Sequence, residues 1–359
     1  MLIQSLEGKD FRNYETLSLT FGNKINLFYG DNAQGKTNIL EAIYLMGTTK
    51  SHKGSKDYEM LRFSQQEAHL RMKFKKNDVL HQIDMHLRKH RGKGIAIDGN
   101  VIHKSAELVG FINMIFFSPE DLNIVKNSPG ERRRFMDMEL CQLDKTYLYA
   151  YTCYKKVLQQ RNSILKQAYY RKDLLDTLEV WNEKLLEYGI QIILKRQKFI
   201  KELKELAMEI HEHLSGGKEC LELFYQPSVT AEEFEKKLIY VKERDIAQCQ
   251  TSIGPHKDDI LIKLSGQDLR RFGSQGQQRT AALSLKLSEI ALVKDKIGEN
   301  PILLLDDVLS ELDKNRQAHL LETIQGIQTF ITCTGTELIQ QRIETDHIYD
   351  VSSGCVKHR

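Results

Sequence analysis

The eight residues Gly30-Asp31-Asn32-Ala33-Gln34-Gly35-Lys36-Thr37 fill every fixed position of the pattern G-x-x-x-x-G-K-[ST]. No other feature narrows the fold of this chain as much. Such a loop needs a buried strand ahead of it and a helix behind it. The chain supplies both, with "INLFY" at residues 25–29 and "NILEAIYLM" at residues 38–46. The two glycines let backbone amides curl around phosphate oxygens, and the helix N-terminus adds positive potential. Lys36 is placed to reach the β and γ phosphates and Thr37 to ligate Mg²⁺, with Asn38 opening the helix. Taken alone, the pattern also fits a plain strand-turn-helix with a surface lysine.

Two further elements bear on that alternative. "PILLLDD" at residues 301–307 has four consecutive apolar residues, as suits a strand buried on both faces of a parallel sheet. Asp306, at its C-terminal end, is placed to hold Mg²⁺, and Asp307 to orient or deprotonate an attacking water. "FGSQGQQRT" at residues 272–280 is a glycine-rich polar turn ahead of the helix "AALSLKLSEIALV". Ser274, the Gly276 amide and Gln277 at the helix start would form a second anion site. By itself this segment is an ordinary helix N-cap. An x-S-x-G-Q turn just before a D-D strand resembles the signature of ABC-type ATPases, and "SELD" at residues 310–313 is similar to their D-loop.

The rest of the chain reads as α/β: an ABC-type P-loop ATPase head, with a mixed sheet core plus an antiparallel β layer, and an inserted helical arm domain. "LSLTF" and "INLFY" are strands on either side of a Gly22-Asn23 turn; "HLRMKF", "HQIDMHL" and "GIAIDGNVI" suggest the antiparallel layer, with a hairpin at Asp98-Gly99. At "NSPGERRRFMD" the texture changes. Ser128 fits an N-cap, Pro129 the first helical position, and Glu131 the third residue of a capping box. Apolar residues at helical spacing then continue to Ser215-Gly216-Gly217. The expected division is a head from residues 1–126 and 217–359, and an arm from residues 127–216. Six scattered cysteines without a C-x-x-C pair read as reduced thiols. The longest apolar run, "VGFINMIFF", is far too short to span a bilayer, and the first ten residues reach charge too early for a signal peptide. A cytoplasmic location with no membrane partner is expected. The formal net charge of +3 excludes a globally basic coat but permits a local basic face.

The segments "FRNY" (11–14), "GDNAQGKTNILEAIY" (30–44), "FSPEDLNIVKNSPGERRRFMD" (117–137), "GPHKDD" (254–259), "SQGQQRTAALSLKL" (274–287) and "LLLDDVLSELD" (303–313) together resemble the RecF/SMC-type ABC ATPase family. The resemblance spans nearly the whole chain. It implies an ATP- and Mg²⁺-dependent DNA-binding protein acting at single-strand gaps and junctions in recombinational repair, replication-fork maintenance and the SOS response. The implied partners are DNA, RecR and RecO, with RecA loading downstream. It also implies an ATP-dependent homodimer in which nucleotide at Lys36 meets Ser274 and Gly276 of a second copy. Asp313 would contact the opposite subunit, and Glu120 would sense nucleotide from a Q-loop-like position. Three departures stand out. Lys53 occupies the place of a family arginine. Asp307 stands where transporter-type relatives carry Glu, as the RecF group has. Thr332 and Thr334 lie where transporters place a histidine. Slow hydrolysis is expected.

The DNA surface is marked less sharply. Arg132, Arg133 and Arg134 open a helix, where the macrodipole disfavours cations, so either a phosphate or an acidic neighbour is expected there. Lys89, Arg91 and Lys93 form a basic hairpin tip suited to phosphate contact without base readout. His211 and His213, two apart on a helix, point to different faces and make a poor metal pair. His256-Lys257-Asp258-Asp259 reads as structural or allosteric, and the tyrosines of "YLYAYTCY" (147–154) as packing between arm helices. Two rivals remain open. A transporter nucleotide-binding subunit would have a far shorter stretch between Lys36 and Ser274. An SMC-like structural ATPase would carry a long coiled coil.

Overall fold

The computed structural model describes residues 1–168, 170–334 and 345–359. They form two units, residues 1–121 with 289–359, and residues 122–288. Among the described residues no helix is long and apolar enough to cross a membrane.

The first unit opens with β1 (Leu2–Phe11) and β2 (Tyr14–Thr20), paired antiparallel. The chain then leaves that sheet, so the Gly22-Asn23 bend is a crossing between sheets and not a hairpin. The buried Asn26 fixes it: its side-chain oxygen accepts from the Gly22 amide at 2.8 Å and its amide donates to the Gly22 carbonyl at 3.0 Å. β3 (Ile25–Tyr29) begins the second sheet and runs into the phosphate-loop segment and α1 (Lys36–Thr48). β4 (Glu67–Lys76), β5 (Val79–Arg88), β6 (Gly94–Ile97) and β7 (Asn100–Ile102) complete the antiparallel sheet, ordered β2-β1-β4-β5-β6-β7. Along β4 exposed and buried residues alternate, with Ala68, Leu70 and Met72 facing inward. This is the period-2 pattern of a sheet with one solvated face. Asp98 and Gly99 both have positive φ, 51° and 80°, the geometry of a primed two-residue hairpin.

β8 (Met114–Phe117) returns to the second sheet. Its remaining strands come from the far end of the sequence, after the second unit.

The second unit begins with α2 (Leu122–Lys126), α3 (Pro129–Leu143), α4 (Lys145–Gln167) and α5 (Leu178–Ser215). Ser128 is the N-cap of α3 and Pro129 its first residue, but the Ser128 side chain accepts no helix amide, so the expected capping box is not formed. The Glu131 amide instead bonds the Ser128 carbonyl at 3.2 Å. α5 ends at Gly216 in the left-handed region, where the sequence marks a stop. Then follow β9 (Leu221–Gln226), α6 (Phe234–Tyr240), α7 (Lys242–Gln248), β10 (Asp259–Leu264), β11 (Gln267–Asp268), α8 (Leu269–Phe272) and α9 (Gln275–Ile297), whose residues from Glu289 on are counted with the first unit. β9 packs along α5 and pairs with β10, so this unit runs past the boundary expected at residue 216.

A buried polar cluster ties the unit together. Arg196, 2% exposed, donates to Asp137 at 2.7 Å, Asp258 at 3.1 Å and the Pro255 carbonyl at 2.6 Å. Arg161 donates to Asp245 at 2.8 Å and Thr251 at 2.7 Å. Tyr147 and Tyr154 are buried between α4 and its neighbours, while Tyr149 is exposed. Burial pushes His256 down to about 4, so its ring is neutral, with the Tyr154 hydroxyl 2.7 Å from Nδ1. The G-P-H-K-D-D segment is therefore a clasp for the arm helices.

Back in the first unit lie β12 (Ile302–Asp306), α10 (Lys314–Thr323), β13 (Thr329–Cys333), β14 (His347–Ser352) and β15 (Cys355–His358). The second sheet reads β15-β14-β3-β13-β12-β8 and is parallel except at β15. β8, β12 and β13 are buried along their whole length; β8 and the Ile302–Leu305 stretch of β12 are unbroken apolar runs, whereas β13 carries the buried Thr329 and Thr332.

Candidate nucleotide site

In an open parallel sheet, ligands bind beyond the carboxyl ends of the strands. Here those ends carry the loop after β3, the acidic pair Asp306-Asp307 at the end of β12 and Thr332 near the end of β13. They enclose an open cavity of about 400 Å³ whose walls also include His52, Lys53 and Glu120. Lys36 is buried, and its ammonium donates to the carbonyls of Gly30 at 2.6 Å and Asp31 at 2.7 Å. Its charge thus sits within the curl of the loop, where phosphate oxygens would replace the two carbonyls. Gly35 has φ +116°, and a Cβ there would lie 2.5 Å from the Asn13 side chain. Only glycine fits both constraints.

The Thr37 hydroxyl donates to Asp306 at 2.8 Å, and Thr332 donates to the same carboxylate oxygen at 2.8 Å. A hydroxyl and a carboxylate in contact are hard oxygen donors, the set that suits Mg²⁺. Thr332 accepts from the Asp307 amide at 2.9 Å, so it positions the acidic pair. Asp307 is held at φ 53°, a conformation costing a non-glycine residue about 1–3 kcal/mol. Its Oδ1 is buried without a hydrogen-bond partner among the described residues. Such an oxygen is costly unless something outside the chain satisfies it.

The loop is braced by residues whose role the sequence did not reveal. Asn13 donates to the Gln34 carbonyl at 3.0 Å and accepts from Asn38 at 2.8 Å, and the Tyr14 hydroxyl donates to the Gly35 carbonyl at 3.0 Å. Arg12 forms a two-pronged pair with Glu41 of α1 at 2.7 and 2.8 Å, and Ser51 donates to the same carboxylate at 2.5 Å. Burial alone would raise the Glu41 carboxyl; the bonds from Arg12 and Ser51 outweigh it and hold the group below its ordinary value. His52 stacks on Phe116 with ring centroids 3.9 Å apart. The Ser353 amide donates to the Gln34 side chain at 2.6 Å. A glutamate inside the apolar run "NILEAIYLM" was the available signal for Glu41. "FRNY" offered only family likeness.

In the second unit Ser274 and Gln277 form the reciprocal capping box expected at Ser128. The Gln277 amide donates to Ser274 Oγ at 3.2 Å and Gln277 Oε1 accepts from the Ser274 amide at 2.8 Å. Ser274 is exposed at the N-terminus of α9, with Gly276 in its first turn. Asp313 caps α10, accepting from the amides of Asn315 and Arg316, and pairs with the Arg316 side chain at 2.9 Å.

The basic candidates divide. Arg132 is 3% exposed and pairs with Asp259 at 2.6 and 3.1 Å, so it is not a DNA-facing residue; the acidic neighbour wins over the phosphate. Arg133 donates to the Asp258 carbonyl at 2.8 Å, and Arg134 is exposed. Lys93 is likewise committed, to the Thr49 carbonyl and to Asp57, both at 2.7 Å. Lys89 and Arg91 are exposed at the hairpin tip. Thr334 is also exposed. His211 is buried against Ser284 and Glu219, whereas His213 bonds the Glu209 carbonyl.

Comparison with known proteins gives the family and the fold. The family model described as RecF/RecN/SMC N terminal domain matches residues 2–357. Proteins named DNA replication and repair protein RecF are similar over 99% of both chains, at 58% identity in Lachnoclostridium phytofermentans and 56% in Agathobacter rectalis. A solved structure described as the recombination mediator protein RecF-ATP in the RecFOR pathway is 35% identical, with a TM-score of 0.93 over 100% of this chain and 97% of that one. An Smc head domain from Pyrococcus furiosus is 17% identical at a TM-score of 0.58, a likeness of fold.

Proposed function

The chain belongs to the RecF family within the RecF/RecN/SMC group, and from that membership we propose an ATP-dependent DNA-binding protein of recombinational repair and replication-fork maintenance. It binds single-strand gaps and single/double-strand junctions, works with RecO and RecR to load RecA, and serves SOS induction in the cytoplasm. The observation that carries the reading is the Asp307 carboxylate: a buried oxygen without a partner among the described residues, next to the Thr37–Asp306 pair.

In this mechanism Lys36 exchanges the Gly30 and Asp31 carbonyls for the β and γ phosphates of ATP, and Asn32 to Asn38 supply amides around them. Thr37 and Asp306 would hold Mg²⁺, which would supply positive charge against that developing on the phosphates. Asp307 orients the attacking water, and Glu120 senses the nucleotide from the cavity wall. The N-terminus of α9, with Ser274, Gly276 and Gln277, meets the nucleotide of a second copy, and Asp313 contacts that copy as well. Charge-assisted bonds to the γ-phosphate close the dimer, and slow hydrolysis releases it. Lys89 and Arg91 contribute phosphate contacts to DNA.

Light scattering with ATP tests the scheme on Lys36→Arg and Asp307→Asn. Asp307→Asn should accumulate dimers and retain gapped duplex, while Lys36→Arg should stay monomeric. An Asp307→Asn protein that remains monomeric with ATP, or wild-type binding to gapped duplex that ignores ATP, would refute it.

A further inference from the structure

The solvated face of the antiparallel sheet carries a cluster that nucleotide chemistry does not use. Glu67 and His69 are two apart on β4 and therefore share a face, while Ala68 and Leu70 between and beyond them point into the core. Strand register places His86 of β5 directly opposite His69. The two imidazoles stack with centroids 3.9 Å apart, and His86 Nε2 lies 2.9 Å from a Glu67 oxygen. Donor atoms of all three residues lie within 4.8 Å of one another. We propose that Glu67, His69 and His86 form a binding site for a zinc-class transition-metal dication.

The chemistry of the donors sets the class. Two imidazoles and one carboxylate, with a fourth position open, are a familiar zinc set, whereas Mg²⁺ and Ca²⁺ prefer oxygen alone. Closing the donors onto one ion at zinc–nitrogen distances of about 2.0–2.1 Å requires only side-chain rotation, because the register already brings them together. An adjoining cavity of about 680 Å³, lined in part by Lys9, His69, His86 and Arg88, leaves room for the ion's remaining ligand. Two cations face the cluster, Lys9 opposite His69 on β1 and Arg88, and it is Arg88 that holds a ligand nitrogen. Arg88 donates to His86 Nδ1 at 3.2 Å from Nε and sits 3.0 Å away through Nη2. A ring that accepts there carries its proton on Nε2, toward Glu67. Whichever nitrogen takes the metal, the proton arrangement changes and the guanidinium must withdraw. Arg88 and the metal therefore compete for one imidazole.

The competition gives a test with opposite signs. Zn²⁺ alone is titrated calorimetrically into the full nucleotide-free chain, its variants measured side by side. His69→Ala/His86→Ala should lose one equivalent of Zn²⁺, and Glu67→Gln should weaken that equivalent about tenfold or more. Arg88→Ala should tighten it several-fold, a gain that misfolding would not produce. A double-histidine variant that binds Zn²⁺ as wild type does, or an Arg88→Ala variant that binds more weakly, overturns the proposal.

Discussion

At the residue scale, the site depends on charges satisfied in ways their neighbours in sequence do not announce. Glu41 is the clearest instance, a fully buried carboxylate whose partners, Arg12 and Ser51, come from the turn between β1 and β2 and from the loop after its helix. Its folded-state value lies below the ordinary 4.5, so its contribution to stability is complete above that pH and is lost as pH falls through the lowered value. Denaturant midpoints of wild type and Glu41→Gln should therefore differ at neutral pH and converge on acidification below 4.5. A gap that stays constant into acid would contradict this account. The basic residues make the complementary point. Lys93 and Arg132 have side-chain acids and carbonyls as partners, whereas Lys89 and Arg91 end in solvent. Replacing both exposed residues with alanine should lower the salt slope of DNA binding by roughly two, one per phosphate contact, while Lys93→Ala should leave it unchanged.

At the element scale, α9 shows how one residue can serve two ends. Ser274 closes a capping box with Gln277, which alone explains a serine at that position and is worth about 1 kcal/mol. Its proposed contact with a partner's nucleotide is separate, and a charge distinguishes the two. Aspartate caps helices as well as serine but repels phosphate. Ser274→Asp should keep the thermal midpoint of wild type yet fail to dimerise with ATP. Loss of both together would leave capping as the role of this residue. The helix after the phosphate loop works differently. α1 has no side-chain cap at Gly35; the Asn38 and Ile39 amides bond the Gly35 carbonyl, and the Lys36 and Thr37 amides ahead of them are the ones placed toward a ligand.

At the scale of the whole molecule, each unit has its own polar keystone. In the second unit Arg196 neutralises two buried carboxylates, Asp137 and Asp258, drawn from α3 and from the segment before β10. Removing the cation strands both acids. Arg196→Met should cost about 3–5 kcal/mol, read as a lower denaturation midpoint. ATP affinity measured on the folded protein should be unaffected, since every residue lining the nucleotide cavity belongs to the first unit.

The sequence by itself determined the phosphate loop, the acidic strand end, the signature turn and the helical arm. Each of these is a local pattern: a glycine spacing, an apolar run or a 3.6-residue period is written in consecutive residues. Tertiary structure decided everything that depends on two distant stretches meeting. It moved the capping box from Ser128 to Ser274, made the Gly22-Asn23 turn a crossing between sheets, and took Arg132 and Lys93 away from solvent. It also gave "FRNY" and "GPHKDD" their work as a brace and a clasp. The physical reason is the same in each case. A hydrogen bond or ion pair between residues far apart in the chain leaves no periodicity behind, and burial selects the partner only after the core has formed.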